Sequence, residues 1–251
     1  MKDKTFTSKL TLKNVSHSYG NVAVLKNLNL AVNPGEIVVL VGPSGCGKTT
    51  ILNLLSGHIS PVAGTIQREG IIRTVYQHDG LFPWLTVSEN ISMGLRSTNG
   101  TGSAEKELSE LVELIRLEGF ENHYPHQLSG GMRQRVELAR VVAGDSDILL
   151  MDEPFSALDY QTRIRMRNEL IRLLEQRPRT VVFVTHDIEE AAQLADRVLV
   201  LSNRPATICR ELNIKAHKPR GLTDPAVIAA MEEILNELGL NAPNDEKGTI
   251  N

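Results

Sequence analysis

Apolar and polar positions alternate through the first part of the chain: Leu10 and Leu12, then Leu28, Leu30 and Val32, recur at every second residue. A period of two predicts strands with one buried face. Asn33, Pro34, Gly35 and Glu36 read as a turn. The pattern then becomes an unbroken apolar run over residues 37–41 that leads straight into glycines. Such a run fits a strand buried on both faces of a parallel sheet. It should feed a helix over residues 49–56 with Ile51, Leu54 and Leu55 inward.

From about residue 81 to residue 143 the periods are mostly helical. Leu108, Leu111, Val112 and Ile115 mark one amphipathic helix, and the polar, glycine-containing stretch 97–103 before it reads as a flexible loop. Strand and helix then alternate: strand 148–151, helix 163–175, strand 180–185, helix 187–194, strand 197–201. That order predicts a parallel sheet with crossover helices, and the helical middle reads as an insertion into it. Beyond Asn213 the pattern changes again. Asp224 as a capping side chain and Pro225 in the first turn predict a helix start. Val227, Met231, Ile234, Leu235 and Leu238 line one face and Gly239 ends it. Residues 241–251 are polar and expected to fray.

Composition narrows the classes. The chain has 251 residues, 41% apolar and 23% charged, which suits a soluble globular protein with a sizeable core. A net charge of −3 and a pI near 6.2 argue against general attraction to nucleic acid or anionic membrane. Cys46 and Cys209 form no metal-binding or disulfide pattern, the simplest reading being reduced thiols in a cytosolic protein. The N-terminus does not read as a signal peptide, and no apolar run is long enough to span a bilayer.

The candidate chemistry is concentrated in three segments. Gly42, Pro43, Ser44, Gly45, Cys46, Gly47, Lys48 and Thr49 match the phosphate-binding loop pattern, between a predicted strand and a predicted helix that begins with Thr49 and Thr50. Glycines let backbone N–H groups ring the phosphates, and the helix N-terminus adds positive potential. Lys48 should reach the β- and γ-phosphates of ATP, and the Thr49 hydroxyl should bind Mg²⁺. Cys46 is expected to matter through its backbone. A second segment, residues 148–151, is an apolar strand ending in Asp152 and Glu153. Strand ends of α/β sheets are where ligands bind. Asp152 would hold Mg²⁺ through water, and Glu153 would act as general base on the attacking water. The third is Leu128, Ser129, Gly130, Gly131 and Met132, a serine and two glycines that start a helix and so offer another anion site.

Taken together, these motifs resemble the ATP-binding cassette (ABC) family over residues 10–212. The resemblance implies an α/β P-loop NTPase fold: a mostly parallel central sheet, an N-terminal antiparallel β subdomain and an inserted helical subdomain. It implies an ATPase domain over 8–212, with 81–143 as the helical insertion, and a C-terminal extension over 213–251. In the family the Ser129–Gly130–Gly131 turn contacts the γ-phosphate held by a second copy of the chain. Gln77 is similar to the glutamine that senses Mg²⁺ and the attacking water. Asp159, ending the run that begins at Ser156, is similar to the loop across the dimer interface. His186 is similar to the switch histidine at the γ-phosphate, and Tyr19 to the aromatic that stacks on adenine. Two ATP molecules would then sit in a two-fold symmetric sandwich.

A cassette of this kind resembles a separate importer subunit, peripheral on the inner face of the cell membrane, bound to integral membrane permease subunits and served indirectly by a solute-binding protein. Leu81, Phe82 and Trp84 follow Gln77, where the family docks a permease helix. They can equally cover the helical subdomain's own core. Residues 83–87 and 202–205 are similar to the nitrate, sulfonate and taurine importer branch, although the strand pair between Gly64 and Gln77 is short for that branch. The C-terminal helix is expected to pack on the cassette or on a second copy, with regulation as the alternative, since roughly 40 residues is short for a ligand-binding domain. The alternative is a non-transport ATPase acting on nucleic acid or ribosomes. No sustained heptad insertion and a single cassette speak against it, and no nucleic-acid partner is expected. A scaffold that binds ATP without turnover is disfavoured because every catalytic position is filled.

Overall fold

A computed structural model describes residues 9–76, 80–95 and 101–240. Strands β1 (Leu10–Tyr19) and β2 (Val22–Val32) form an antiparallel hairpin, and β4 (Ala63–Arg68) adds to the other edge of β1. The six-stranded sheet runs β5 (Ile72–Val75), β6 (Ile148–Asp152), β7 (Thr180–Val184), β3 (Ile37–Val41), β8 (Arg197–Leu201), β9 (Ile208–Asn213). All its pairings are parallel except β8 with β9. The expected mostly parallel sheet and antiparallel N-terminal unit are both present.

The apolar runs follow from what covers the sheet. Side chains along a strand alternate between faces. Val39, Val41, Leu149, Met151, Val181 and Phe183 join one core with the helical region. Val38, Leu40, Ile148, Leu150, Val182 and Val184 join the other, with the β1–β2 hairpin and α1 (Lys48–Ser56). Both faces are dry, so no polar alternation is tolerated in these strands. In α1, Ile51, Leu54 and Leu55 are buried as their spacing required.

The helical insertion contains α2 (Val87–Leu95), α3 (Thr101–Leu114) and α4 (Gly130–Ala143). Leu111, Val112 and Ile115 are buried, with Leu108 partly so. The loop expected over 97–103 is corrected at its end: residue 101 already opens α3, and the rest of that loop lies outside the described residues. Asn90, fully buried in α2, donates to the carbonyls of Phe82, Leu85 and Thr86 and accepts from the Phe82 N–H, which fixes the turn before the helix.

The expected strand pair between Gly64 and Gln77 does not exist as a pair. β4 belongs to the antiparallel sheet and β5 to the parallel one. The Asp147 carboxylate accepts the Ile71 N–H at 2.9 Å and draws the chain away from β4 to the edge of β6.

After β6 come α5 (Tyr160–Gln176) and α6 (Ile188–Leu194), the latter capped by Asp187, and then α7 (Pro225–Glu237). Val227, Ala230 and Ile234 of α7 sit in the same core as the sheet, so this helix packs on its own chain, chiefly against α6. Pro225 stands in its first turn as expected, but the Asp224 carboxylate makes no cap to the helix; it accepts the Gly221 N–H at 2.7 Å instead. Gly239 follows the helix at φ 70°, and its N–H reaches back to the Asn236 carbonyl. The expected frayed tail, 241–251, lies outside the described residues. No helix among the described residues is long and apolar enough to cross a membrane.

Candidate functional site

The site forms where β3, β7 and β6 end side by side. β3 passes into the loop 42–47 and then into α1. The helix is N-capped by Gly47 with no side-chain bond, so its first N–H groups remain directed at the loop's concavity. Gly47 has φ 126°, and a Cβ there would lie 2.8 Å from a Val24 methyl; only glycine lets β2 lie this close behind the loop. Lys48 is buried and donates to the carbonyls of Gly42 at 2.8 Å and Pro43 at 3.0 Å, so its ammonium bridges the mouth of the loop. Thr49 is exposed and Thr50 buried. Cys46 is buried and its N–H bonds the Pro43 carbonyl within the loop.

One strand over, the Thr185 N–H donates to the Leu40 carbonyl, which brings the end of β7 against the root of the loop. Next along, Asp152 is in register with Val184, and the Glu153 N–H donates to the Val184 carbonyl at 2.9 Å. Asp152 is buried. Glu153 adopts φ 48°, a left-handed backbone uncommon for a residue with a side chain. Its Oε2 lies 3.0 Å from His186 Nδ1. Two residues distant in sequence thus form a carboxylate–imidazole pair beside the phosphate loop, an arrangement able to accept and hold a proton.

The segment after His186 is braced. Its neighbour Asp187 caps α6 by accepting from the N–H groups of Glu189 and Glu190, and donates its own N–H to Thr185 Oγ1. Thr185 Oγ1 in turn donates to Glu190 at 2.6 Å. Burial raises the Glu190 carboxyl above its ordinary range, and the Thr185 hydroxyl partly offsets this. Arg163 bonds Asp187 Oδ2 at 2.9 Å and the Leu158 carbonyl at 3.2 Å, linking this segment to the turn before α5.

Ser129 caps α4, its Oγ accepting from the Met132 N–H at 3.3 Å. Among the described residues no hydrogen bond joins Ser129, Gly130 or Gly131 to the phosphate loop of the same chain. Asp159 caps α5; the Thr162 hydroxyl and N–H both hold its carboxyl below the usual range. Tyr19 is about half exposed at the tip of the β1–β2 hairpin, packed edge-on against His17 and close in chain to Val24 behind the loop. Gln77 lies outside the described residues. Leu81 is buried, whereas Trp84 stands 69% exposed with its ring tilted against Phe82.

Gln134, Arg163 and Glu190 were not anticipated. Gln134 sits between two arginines in a stretch that reads as solvated polar surface; its position three residues past Gly131 was the one available signal.

Comparison with known proteins gives a consistent picture. A model described as "ABC transporter" matches residues 25–156. The aliphatic sulfonates import ATP-binding protein SsuB 2 of Pseudomonas syringae pv. tomato is 42% identical over 222 residues, 88% of this chain and 94% of that protein. The nitrate import ATP-binding protein NrtD of Synechocystis is 45% identical over 207 residues, 78% of this chain and 77% of that protein. A dimeric structure of MJ0796, a bacterial ABC transporter cassette, is similar with a TM-score of 0.73 and 34% identity, covering 83% of this chain and 100% of the other. A post-hydrolysis dimeric structure of the same cassette bound to ADP and Pi is similar with a TM-score of 0.73 and 33% identity.

Proposed function

The chain belongs to the ABC transporter family as one of its ATP-binding, ATP-hydrolysing subunits, and from that premise we propose how its residues divide the work and what that work drives. One copy supplies Lys48, Thr49, Gln77, Asp152, Glu153 and His186 to its own nucleotide. A second copy supplies Ser129, Gly130 and Gly131 to the same nucleotide. ATP therefore favours the closed pair, and loss of the γ-phosphate releases it. Tyr19 stacks on the adenine, the segment ending in Asp159 lies at the seam between copies, and residues 43–47 with Thr50 complete the cradle. The ATPase unit spans 8–212 with 81–143 inserted, and 213–251 is an appended extension.

Mg²⁺ fits the donors present. Hard oxygens suit it, and it normally takes one or two protein oxygens plus phosphate oxygens. The exposed Thr49 hydroxyl and the Asp152 carboxylate are of that kind, and the described residues contain no group of three or more His, Cys, Asp or Glu that could hold a metal unaided. When bound, Mg²⁺ neutralises charge on the phosphates. Lys48 draws the γ-phosphate into the loop, Glu153 accepts the proton of the attacking water, and His186 orients the carboxylate.

The driven process is import of a small solute such as a sulfonate or nitrate, as in the relatives above. Permease subunits supply the path, and the exposed Trp84 at the turn beyond Gln77 is the docking residue. The subunit thus sits peripherally on the inner face of the membrane, and a solute-binding protein acts on the far side. The 3.0 Å approach of Glu153 to His186 beside the loop is the observation that supports the catalytic part most directly. Glu153→Gln is expected to bind ATP normally and to hydrolyse it about 10²–10⁴-fold more slowly. Undiminished turnover in that variant would remove Glu153 from the role of base.

A further inference from the structure

We infer that Gln134 is a positioning residue for the hydrolytic step: its carboxamide ties the turn that serves the partner's nucleotide to the backbone that presents Glu153 to the chain's own nucleotide. This rests on the assignment of Glu153 as base and of Ser129, Gly130 and Gly131 as trans contacts.

Gln134 is 8% exposed in α4. Its Nε2 donates to the Glu153 carbonyl at 3.2 Å and lies 3.5 Å from Ser156 Oγ. Its Oε1 accepts the Ala157 N–H at 2.9 Å. The amide orientation is forced: the Ala157 N–H can only donate and the Glu153 carbonyl can only accept, so a flipped amide would oppose two donors at one end and two acceptors at the other. One side chain therefore spans both ends of the segment 153–157.

That segment needs holding. Glu153 has φ 48°, a left-handed conformation that crowds the Cβ of any residue other than glycine. Such a conformation persists where the surroundings over-determine it. The Glu153 N–H is fixed on Val184, while its carbonyl accepts from the Ser156 N–H at 3.1 Å and from Gln134. Gln134 contributes from outside the segment and its sheet.

Residues three apart share a helix face, so Gln134 and Gly131 address the same neighbour. A Cβ on Gly131 would stand 3.2 Å from the Ala157 carbonyl. The signature turn and the segment behind Glu153 thus touch twice, once backbone to backbone and once through the carboxamide. At the far end, Arg163 bonds the Leu158 carbonyl and Asp187, next to His186. The path from Ser129 to Glu153 and on to His186 is continuous in hydrogen bonds and close contact.

The test compares Gln134→Leu and Gln134→Glu with the parent. Glu keeps the volume and the acceptor for Ala157 but places a carboxylate oxygen against the Glu153 carbonyl; it also serves as the readable variant if Leu does not fold. ATP turnover and KM are measured, with ATP binding followed in the Glu153→Gln background. Misplacing a catalytic group by about 1 Å can cost on the order of 10²-fold, so kcat is expected to fall by roughly tenfold or more while KM and ATP affinity stay within about twofold. A brace that served folding alone would lower the melting temperature and leave kcat per folded molecule intact. Turnover within about twofold of the parent in folded Gln134→Glu, with Glu153→Gln inactive, overturns the inference and leaves the base assignment standing. Turnover retained in Glu153→Gln overturns the base assignment and this inference with it.

Discussion

His186 is 66% exposed at its side chain, while the Glu153 carboxylate it meets is 17% exposed. The imidazole is therefore held by very little except that carboxylate, and removing it should disturb chemistry more than stability. His186→Ala is expected to lower kcat by about 10²–10³-fold while changing unfolding free energy by less than about 0.5 kcal/mol. KM for ATP should change little, because Lys48 and the loop glycines are untouched. Steady-state kinetics and a urea melt check both halves, and wild-type turnover in a folded His186→Ala would remove His186 from catalysis. The motif positions stand out in the chain because their chemistry would constrain the local sequence: a loop that rings phosphates needs glycines at fixed spacing, and acids placed at the end of a buried strand need an apolar run before them. Gln134 was not readable, because a buried amide that bonds backbone looks the same in sequence as an exposed one. The same holds for Arg163, whose partners Leu158 and Asp187 are set by how α5 meets α6.

At the level of elements, α7 is held by more than its apolar face. Arg220, in the strap leading to it, is 4% exposed and donates to the carbonyls of Ala192 and Ala195 at the end of α6, and to those of Ile214 and Ala216. Gln193 closes the loop by donating to the Arg220 carbonyl at 3.1 Å. The guanidinium satisfies the last carbonyls of α6, which the helix itself cannot. Arg220→Met should leave several buried acceptors without donors, at about 1–3 kcal/mol for each unsatisfied group. Since neighbouring carbonyls can relax together, a net loss of about 3 kcal/mol is expected from denaturant melts. A loss below about 0.5 kcal/mol would show the strap to be dispensable. The strands, the crossover helices and α7 were legible because periodicity reports burial directly. The destination of β4 and β5 was not: both are short, and it is the Asp147 bond to Ile71, distant in sequence, that separates them. Asp224 shows the same limit, since its carboxylate turns to Gly221 rather than to the helix it precedes.

For the whole molecule, the proposed division of the nucleotide site between copies requires two chains. The phosphate loop, Asp152, Glu153 and His186 gather at the ends of three adjacent strands, while Ser129, Gly130 and Gly131 head α4 on the far side of the segment 153–157. A chain's own signature turn makes no hydrogen bond to its own phosphate loop among the described residues. In a two-fold pair each turn can face the other copy's loop, and both ends of every γ-phosphate are then covered. ATP that binds the closed pair better than the open one must, by linkage, drive association. The most direct measurement is the molar mass of Glu153→Gln in solution, by light scattering, with Mg-ATP and with Mg-ADP. The account predicts a dimer with ATP and a monomer with ADP, and a Ser129→Arg substitution in the same background that still binds ATP but stays monomeric. A monomer with ATP bound, or a dimer indifferent to which nucleotide is present, would contradict it.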